Sequence, residues 1–131
     1  MLGVKEIAGP EHNPIILDFF RAAGHSWVRD DETAWCSAFL CWVAEQCGYK
    51  HPHSLLARDW LNVGEVVTEP IQGDIAIYWR VAANTNYGHV HLWLNSTYEN
   101  NYGIGGNQSN MVTYAPYPKS RLLGYRRLQK K

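Results

Sequence analysis

The sequence predicts an α+β fold in which N-terminal helices pack on one side of a C-terminal antiparallel β-sheet. In the first half, apolar residues recur at helical spacing. The second half instead consists of short β-rich segments separated by turn residues. A length of 131 residues, without repeats or low-complexity tracts, fits a single domain over residues 1–131.

Three helices are predicted, at residues 14–23, about 34–47 and 55–61. The first has Pro14 close to its start and Gly24 after its end, and Ser54 precedes the third as a cap. The second carries an apolar stripe that starts at Cys36, and acidic residues that suit the positive end of its dipole precede it. Gly48 follows, where a helix C-terminus favours a residue that tolerates positive φ. Cys36 is therefore expected near the N-terminus of a buried helix.

Five short strands are predicted, at residues 65–68, 75–79, 89–94, 111–114 and 122–128. In the third of them His89, His91 and Trp93 share one face of the sheet, because side chains alternate along a strand. Residues 95–103 are predicted as a hairpin loop, and residues 105–108 as a tight turn.

Charge is unevenly distributed although the formal net charge is zero. All 12 acidic residues precede Asn100, and six Lys and Arg residues without any acid follow it. This basic end could contact an anionic polymer or a membrane surface, or it could be a solvated tail. The basic–aromatic interleaving of nucleic-acid modules does not accompany it, so no nucleic-acid partner is expected.

The N-terminal residues do not resemble a signal peptide, and no segment is long and apolar enough to insert into a membrane. Cys36, Cys41 and Cys47 cannot easily form a disulfide on one helix, which indicates folding in a reducing compartment. We therefore expect synthesis in the cytoplasm, with separate delivery if the substrate lies outside it.

Cys36 is the first candidate for catalysis. A thiol at a helix N-terminus meets unpaired N–H groups and a favourable dipole, which lower its pKa; the alternative is a small core residue. His89 is the candidate base because it opens a strand directly after Gly88, and its alternative is a histidine hydrogen-bonded within the sheet. His91, on the same face, is the second candidate for the base.

Asn107 and Gln108 could supply an amide oxygen that orients the base, although Gly-Gly-Asn-Gln alone is typical of a tight turn. The pairs His51-x-His53 and His89-x-His91 could bind zinc, but a third and fourth ligand at the usual spacing do not accompany them. No metal or other cofactor is therefore expected.

Four segments occur in a recognisable order: residues 31–39 around Cys36, Pro70-x-x-Gly73-Asp74-Ile75, Gly88-His89-Val90 and Gly105-Gly106-Asn107-Gln108. Together they resemble the NlpC-type and CHAP-type papain-like cysteine hydrolases of peptidoglycan. The likeness is closest to a small single-domain group found in phages and prophages, and it runs from about residue 3 to residue 127.

This resemblance implies a papain-like catalytic domain with Cys36 as nucleophile, His89 as base and Asn107, with Gln108 nearby, as the third polar residue. It also implies cleavage of amide bonds in peptidoglycan, by an endopeptidase or an N-acetylmuramoyl-L-alanine amidase. The family often has Gly or Ala where this chain has His91, so His91 could crowd the site or exchange roles with His89. Aromatic residues expected to line a substrate groove are Trp35, Tyr87 and Trp93, with Trp60 and Trp79 as further candidates.

Two delivery routes fit this chemistry, and a monomer is expected in both. A phage endolysin would reach the wall after a holin opens the membrane. An antibacterial effector would instead be exported, and an immunity protein would inhibit it in the producing cell. The alternative from another class is a papain-like module that binds wall fragments or a protein without cleaving them. A zinc-dependent amidase is a more distant alternative.

Overall fold

A computed structural model describes residues 36–54, 56–80, 88–108 and 111–131, with only the backbone at positions 107, 108 and 111. Helices and strands within these ranges are α1 (Cys36–Cys47), η1 (Ala57–Asn62), β1 (Glu65–Val67), β2 (Ile75–Trp79), β3 (Gly88–Ser96), β4 (Asn100–Gln108), β5 (Met111–Pro118), η2 (Lys119–Arg121) and β6 (Leu122–Arg127). The two η elements are short 3-10 helices. The predicted helix at residues 14–23 and the acidic residues before α1 lie outside the described residues.

The six strands form one antiparallel sheet in the order β1-β6-β2-β3-β4-β5. Strands β2 to β5 are neighbours in chain order, whereas β6 returns to lie between β1 and β2. The five predicted strands correspond to β1, β2, β3, β5 and β6, so the prediction of an antiparallel sheet in the second half is confirmed.

Strand β4 begins at Asn100, inside the hairpin loop predicted for residues 95–103, and includes the tight turn predicted for residues 105–108; only residues 97–99 form the connection to β3. Its composition of Asn, Tyr and Gly is typical of turns, but the sheet needs small residues here. A Cβ at Gly103 would overlap the carbonyl oxygen of Leu92 and would lie 2.8 Å from Cγ of His91. The glycine therefore reflects a close approach of β3, which is a common reason for glycine inside a strand.

Helix α1 packs on one face of the sheet, over β3 and β4. Its buried side chains join the core with those of the strands, and the largest of them are Phe39, Leu40, Ile75, Ile77 and Val90. The helix ends at Cys47 and Gly48 has φ of +77°, so the predicted C-terminal signal is confirmed. This apolar face contains Val90 and Leu92 of β3, as the strand alternation predicts.

Rings alternate with these apolar side chains along the strands, and we call this set the aromatic face; its members are Tyr78, His89, His91, Trp93 and Tyr117. The sheet curls toward this face. Asn101 of β4 hydrogen bonds with Tyr125 of β6, although β2 and β3 lie between these strands. Tyr117 of β5 likewise contacts the ring of Tyr78 in β2, with centroids 4.6 Å apart. Such contacts between strands that are not neighbours require a concave surface.

The third predicted helix is the 3-10 helix η1, which begins two residues later than expected. Ser54 does not cap its first turn in the predicted way. Its hydroxyl accepts the N–H of Leu56 at 3.0 Å and donates to the carboxylate of Asp59 at 2.6 Å. A 3-10 helix of this length is a normal connector.

The Pro-x-x-Gly-Asp segment before β2 has a structural role that explains its glycine and its aspartate. Gly73 has φ of +95°, and the carboxylate of Asp74 accepts the N–H of Ile71 at 2.9 Å. Both oxygens of Asp74 also accept from the guanidinium of Arg127, at 3.0 and 2.9 Å. The Pro-x-x-Gly-Asp segment therefore ties the start of β2 to the end of β6.

The basic C-terminal residues are not a solvated tail, because they continue from β6 along the end of α1. The N–H of Lys50 donates to the carbonyl of Gln129 at 2.8 Å, and the N–H of Lys131 donates to that of Gly48 at 3.0 Å. The ammonium of Lys131 also donates to Glu45 at 2.8 Å. Among the described residues, no helix is long and apolar enough to cross a membrane.

Candidate functional site

Cys36 is the first residue of α1 and is only 5% exposed. The next residue, Ser37, anchors this end of the helix. Its hydroxyl donates to the carbonyl of Ser54 at 2.6 Å and accepts the indole N–H of Trp60 at 2.7 Å. The thiol of Cys36 lies close enough to the backbone of Val90 for that backbone to act on its pKa, so the start of α1 meets the start of β3.

Burial raises the pKa of the Cys36 thiol above its usual value. The backbone of Val90 and the charge of Arg80 act in the opposite direction but do not compensate. The prediction of a lowered pKa at the helix N-terminus is therefore wrong, because loss of hydration outweighs the local dipoles. The resting residue is a neutral thiol, and a nucleophilic role requires a base that removes its proton.

His89 is the second residue of β3, directly before Val90, and it is 3% exposed. Its imidazole stacks on the ring of Tyr117, with centroids 4.7 Å apart and an interplanar angle of 12°. Burial raises the pKa of the Tyr117 phenol, and ionisation of Cys36 would raise it further, so the two side chains lie close together. Cys36 and His89 are therefore both neighbours of Tyr117 and of the Val90 backbone.

His91, the second candidate base, is fully buried. Its Nε2 lies 2.7 Å from the hydroxyl of Tyr78, and the two rings meet edge to face. The side of its ring fits against Gly103, where no Cβ is present. This environment favours a structural role for His91 in the aromatic face.

Trp93, a predicted groove residue, directs its indole N–H inward to Oδ1 of Asn101 at 3.0 Å. The amide of Asn101 is fully buried and donates to the hydroxyl of Tyr125 at 3.0 Å. Trp60 is fully buried in the core and cannot line a groove. Trp35 and Tyr87 lie outside the described residues.

Asn107 and Gln108, the candidates for the third polar residue, are the last two residues of β4. Their backbone lies in the sheet and their side chains lie outside the described part of the structure. The structure thus places these two residues in a strand and not in the predicted turn.

The sequence did not single out Arg80 and Tyr117, which lie near Cys36, or Arg121, which lies near Tyr117. Arg80 follows β2 and its charge acts on both Cys36 and Tyr117. The guanidinium of Arg121 lies 5.0 Å from the ring centroid of Trp79, and its charge acts on the phenol of Tyr117. Tyr117 stands between two prolines in β5, and the prediction for this strand stopped at residue 114 because proline usually ends a strand.

Within the described ranges, no group of three His, Cys, Asp or Glu residues could hold a metal ion. Both ring nitrogens of His51 are already used, since Nε2 lies 2.7 Å from Glu45 and Nδ1 accepts the N–H of His53 at 3.3 Å. The pair His51-x-His53 therefore does not present two imidazoles to one centre. Cys36, Cys41 and Cys47 are free thiols.

No protein-family model matches the chain, and no curated protein matches it in sequence. In structure, the chain is similar to a protein from Staphylococcus aureus subsp. aureus Mu50 that is described as similar to a lipoprotein of the NLP/P60 family, with a TM-score of 0.56 and 17% identity. The match covers 96% of this chain and 45% of that one, so the chain spans less than half of its neighbour. At this identity the likeness shows an NlpC/P60-like α+β fold.

Proposed function

We propose that this protein is a cysteine hydrolase that cleaves amide bonds in the peptide part of peptidoglycan, as an endopeptidase or an N-acetylmuramoyl-L-alanine amidase. The observation that carries the proposal is the position of Cys36 at the start of α1, against the backbone that follows His89. The NlpC/P60-like fold supports it, because the sequence resemblance assigned the nucleophile and the base to these two residues.

In this mechanism His89 accepts the proton of the Cys36 thiol while the sulfur attacks the carbonyl carbon of the scissile amide. The backbone N–H of Cys36 is a natural donor to the oxyanion that forms. The proton on His89 passes to the nitrogen of the leaving amine as the C–N bond breaks. Water, deprotonated by His89, then hydrolyses the thioester and releases the acid and the thiol.

Asn107 is the proposed third polar residue. The β3–β4 register pairs Leu92 with Ile104. Continued for three residues, this register would bring Asn107 opposite His89. An amide oxygen there would accept the second imidazole N–H and fix the tautomer of the base.

Delivery is part of the proposal. A phage endolysin released through a holin-made opening and an exported antibacterial effector with an immunity protein would both use this chemistry. The neighbouring genes distinguish the two routes, because a holin gene accompanies the first and an immunity gene the second.

A non-catalytic module that binds wall fragments or a protein is the second candidate. The burial of Cys36 favours it, because a thiol at 5% exposure with a raised pKa is less reactive than a typical nucleophile.

Digestion of purified peptidoglycan decides between these candidates. Walls of several types are incubated with the wild type, Cys36→Ala and the control Cys41→Ala, and the soluble products are analysed by mass spectrometry. Cys41 is a matched control because it is a buried thiol in the same helix. We expect fragments from the wild type and the control alone, with masses that identify the cleaved bond.

Hydrolysis by Cys36→Ala would refute thiol catalysis. If the wild type releases nothing from any wall yet sediments with wall material, the binding module replaces the hydrolase.

A further inference from the structure

The imidazole of His89 lies face to face with one particular ring. Tyr117 reaches it from β5, across the curled aromatic face, with 4.7 Å between centroids and 12° between planes. A cation within about 6 Å of an aromatic centroid, over its face, is attracted by the ring quadrupole. Neutral imidazole gains little from this contact, whereas imidazolium gains more.

Tyr117 is itself fixed from two sides. The ring of Tyr78 contacts it at 4.6 Å, and Tyr78 is the residue that pairs with His89 across β2 and β3. Arg121, three residues beyond β5, lies over Trp79 at 5.0 Å, close enough for its charge to act on the phenol. A ring held in this way restricts the orientation of the imidazole that lies on it.

We propose that Tyr117 is a positioning residue for His89, whose ring fixes the imidazole and stabilises the imidazolium that forms when His89 takes the proton of Cys36. The proposal rests on the proposed thiol chemistry, since it assigns the stack to the step in which His89 becomes charged. No atom of Tyr117 is transferred, and the proton moves only between the sulfur, the imidazole and the leaving amine.

The charges around His89 show why a π face is useful there. Arg80, beyond β2, is a positive charge close to Cys36 and Tyr117, Arg121 is another beside Tyr117, and both oppose a positive charge on the imidazole. His91 on the same strand, with centroids 5.7 Å apart, is a further titratable neighbour. Tyr78 of β2, at 6.4 Å, and the buried thiol of Cys36 remain neutral at neutral pH because burial raises both pKa values. The Tyr117 ring therefore offsets the effect of Arg80 without adding a formal charge.

The test compares four variants with the wild type: Tyr117→Phe, Tyr117→Leu, Tyr117→pentafluorophenylalanine and the control Tyr114→Leu. Phe keeps the ring and removes the hydroxyl, and Leu removes the ring. The fluorinated ring keeps the shape but reverses the quadrupole. Tyr114 is an exposed tyrosine of the same strand.

The first readout is the titration of His89 by NMR in the substrate-free protein, with its signal assigned by its loss in His89→Gln. We expect the midpoint to fall by about 0.5 to 1 pH unit in the Leu and pentafluorophenylalanine variants. Phe and the control should titrate as the wild type does. An unchanged midpoint in both of the affected variants would refute the proposal, and so would an equal decrease in Phe.

The second readout is the pH profile of kcat/KM for wall hydrolysis. The acid limb should move with the His89 midpoint, and kcat should decrease about 3- to 10-fold in the two affected variants while KM changes little. If Tyr117 has only a structural role, the variants should lower the plateau of the pH profile without moving its acid limb. That result would contradict the proposed positioning role of Tyr117. The fluorinated variant provides this test even if the Leu variant does not fold.

The two proposals fail in different ways. If wild-type protein cleaves no wall, the proposed hydrolase is wrong, but the NMR titration still reports whether Tyr117 stabilises the charged imidazole. If the wall is cleaved through Cys36 and the midpoint of the His89 titration is the same in the Tyr117 variants as in the wild type, only the positioning role is wrong.

Discussion

At the scale of single residues, Ser37 determines where Cys36 lies. Its hydroxyl connects the first turn of α1 to two separate parts of the chain, the carbonyl of Ser54 and the indole of Trp60. The side chains of Ser37 and Trp60 are both fully buried. These contacts fix the start of α1 to Ser54 and to η1, and a thiol that depends on a neighbouring base requires such a fixed position.

Ser37→Ala should destabilise the protein by about 1 to 3 kcal/mol, because it leaves the buried N–H of Trp60 without this acceptor. Denaturant unfolding followed by Trp fluorescence measures the loss. Ser96→Ala, at an exposed position of β3, is the control and should change stability by less than about 0.5 kcal/mol. Equal stability of the two variants would show that the Ser37 hydroxyl does not anchor the helix.

At the scale of elements, β4 shows how far local composition can mislead. Its segment Asn100-Asn101-Tyr102-Gly103 is typical of a turn, yet it forms a strand between β3 and β5. Contacts with neighbouring strands compensate for this low strand preference. Asn101 is satisfied by Trp93 and Tyr125, and Gly103 gives space to the ring of His91.

Gly103→Ala should cost about 3 kcal/mol, because the new Cβ must displace the His91 ring or the β3 backbone. Gly48→Ala is the matched control. There a Cβ meets no atom within 4 Å, and only the positive φ opposes it, at a cost of about 1 kcal/mol. Urea unfolding of the two variants separates crowding from backbone conformation, and an equal cost would contradict the close packing of β3 and β4.

Elements that depend on interactions between residues close in sequence could be predicted, whereas contacts between distant residues could not. Helix α1 and the strands β2 and β3 depend on local periodicity, and they were predicted close to their true bounds. The stack of Tyr117 on His89 depends on the curl of the whole sheet, which no local pattern encodes. The raised pKa of Cys36 escaped prediction for the same reason, because it depends on how completely other elements cover the thiol.

At the scale of the whole molecule, Glu45 connects α1 with the segment that follows it and with the C-terminal residues. Its carboxylate accepts from Lys131 at 2.8 Å and lies 2.7 Å from Nε2 of His51. The hydrogen bond from Lys131, followed by that from His51, lowers the pKa of Glu45 to about 2. Burial lowers the pKa of His51 below its usual value, in agreement with a neutral ring that donates from Nε2.

Stability should therefore decrease as the pH falls. A carboxyl with a folded pKa of about 2 and an unfolded value near 4.5 stabilises the fold above pH 4.5 and loses this contribution as pH falls toward 2. His51 acts in the same direction from about pH 6.5 downward, because the folded state disfavours its protonation. Urea midpoints measured from pH 7 to pH 3 should decline less in Glu45→Gln than in the wild type. Parallel declines in the two proteins would show that the contacts of Glu45 do not contribute.

Strand β6 lies between β1 and β2, although it follows every other described strand along the chain. During translation, β2 therefore keeps one side open until residues 122–127 have left the ribosome. The waiting segment, Ile75-Ala76-Ile77-Tyr78-Trp79, is rich in residues that favour strands, and an open edge of this kind can pair with another nascent chain. The yield of folded protein in a cell thus depends on how soon β6 reaches this edge.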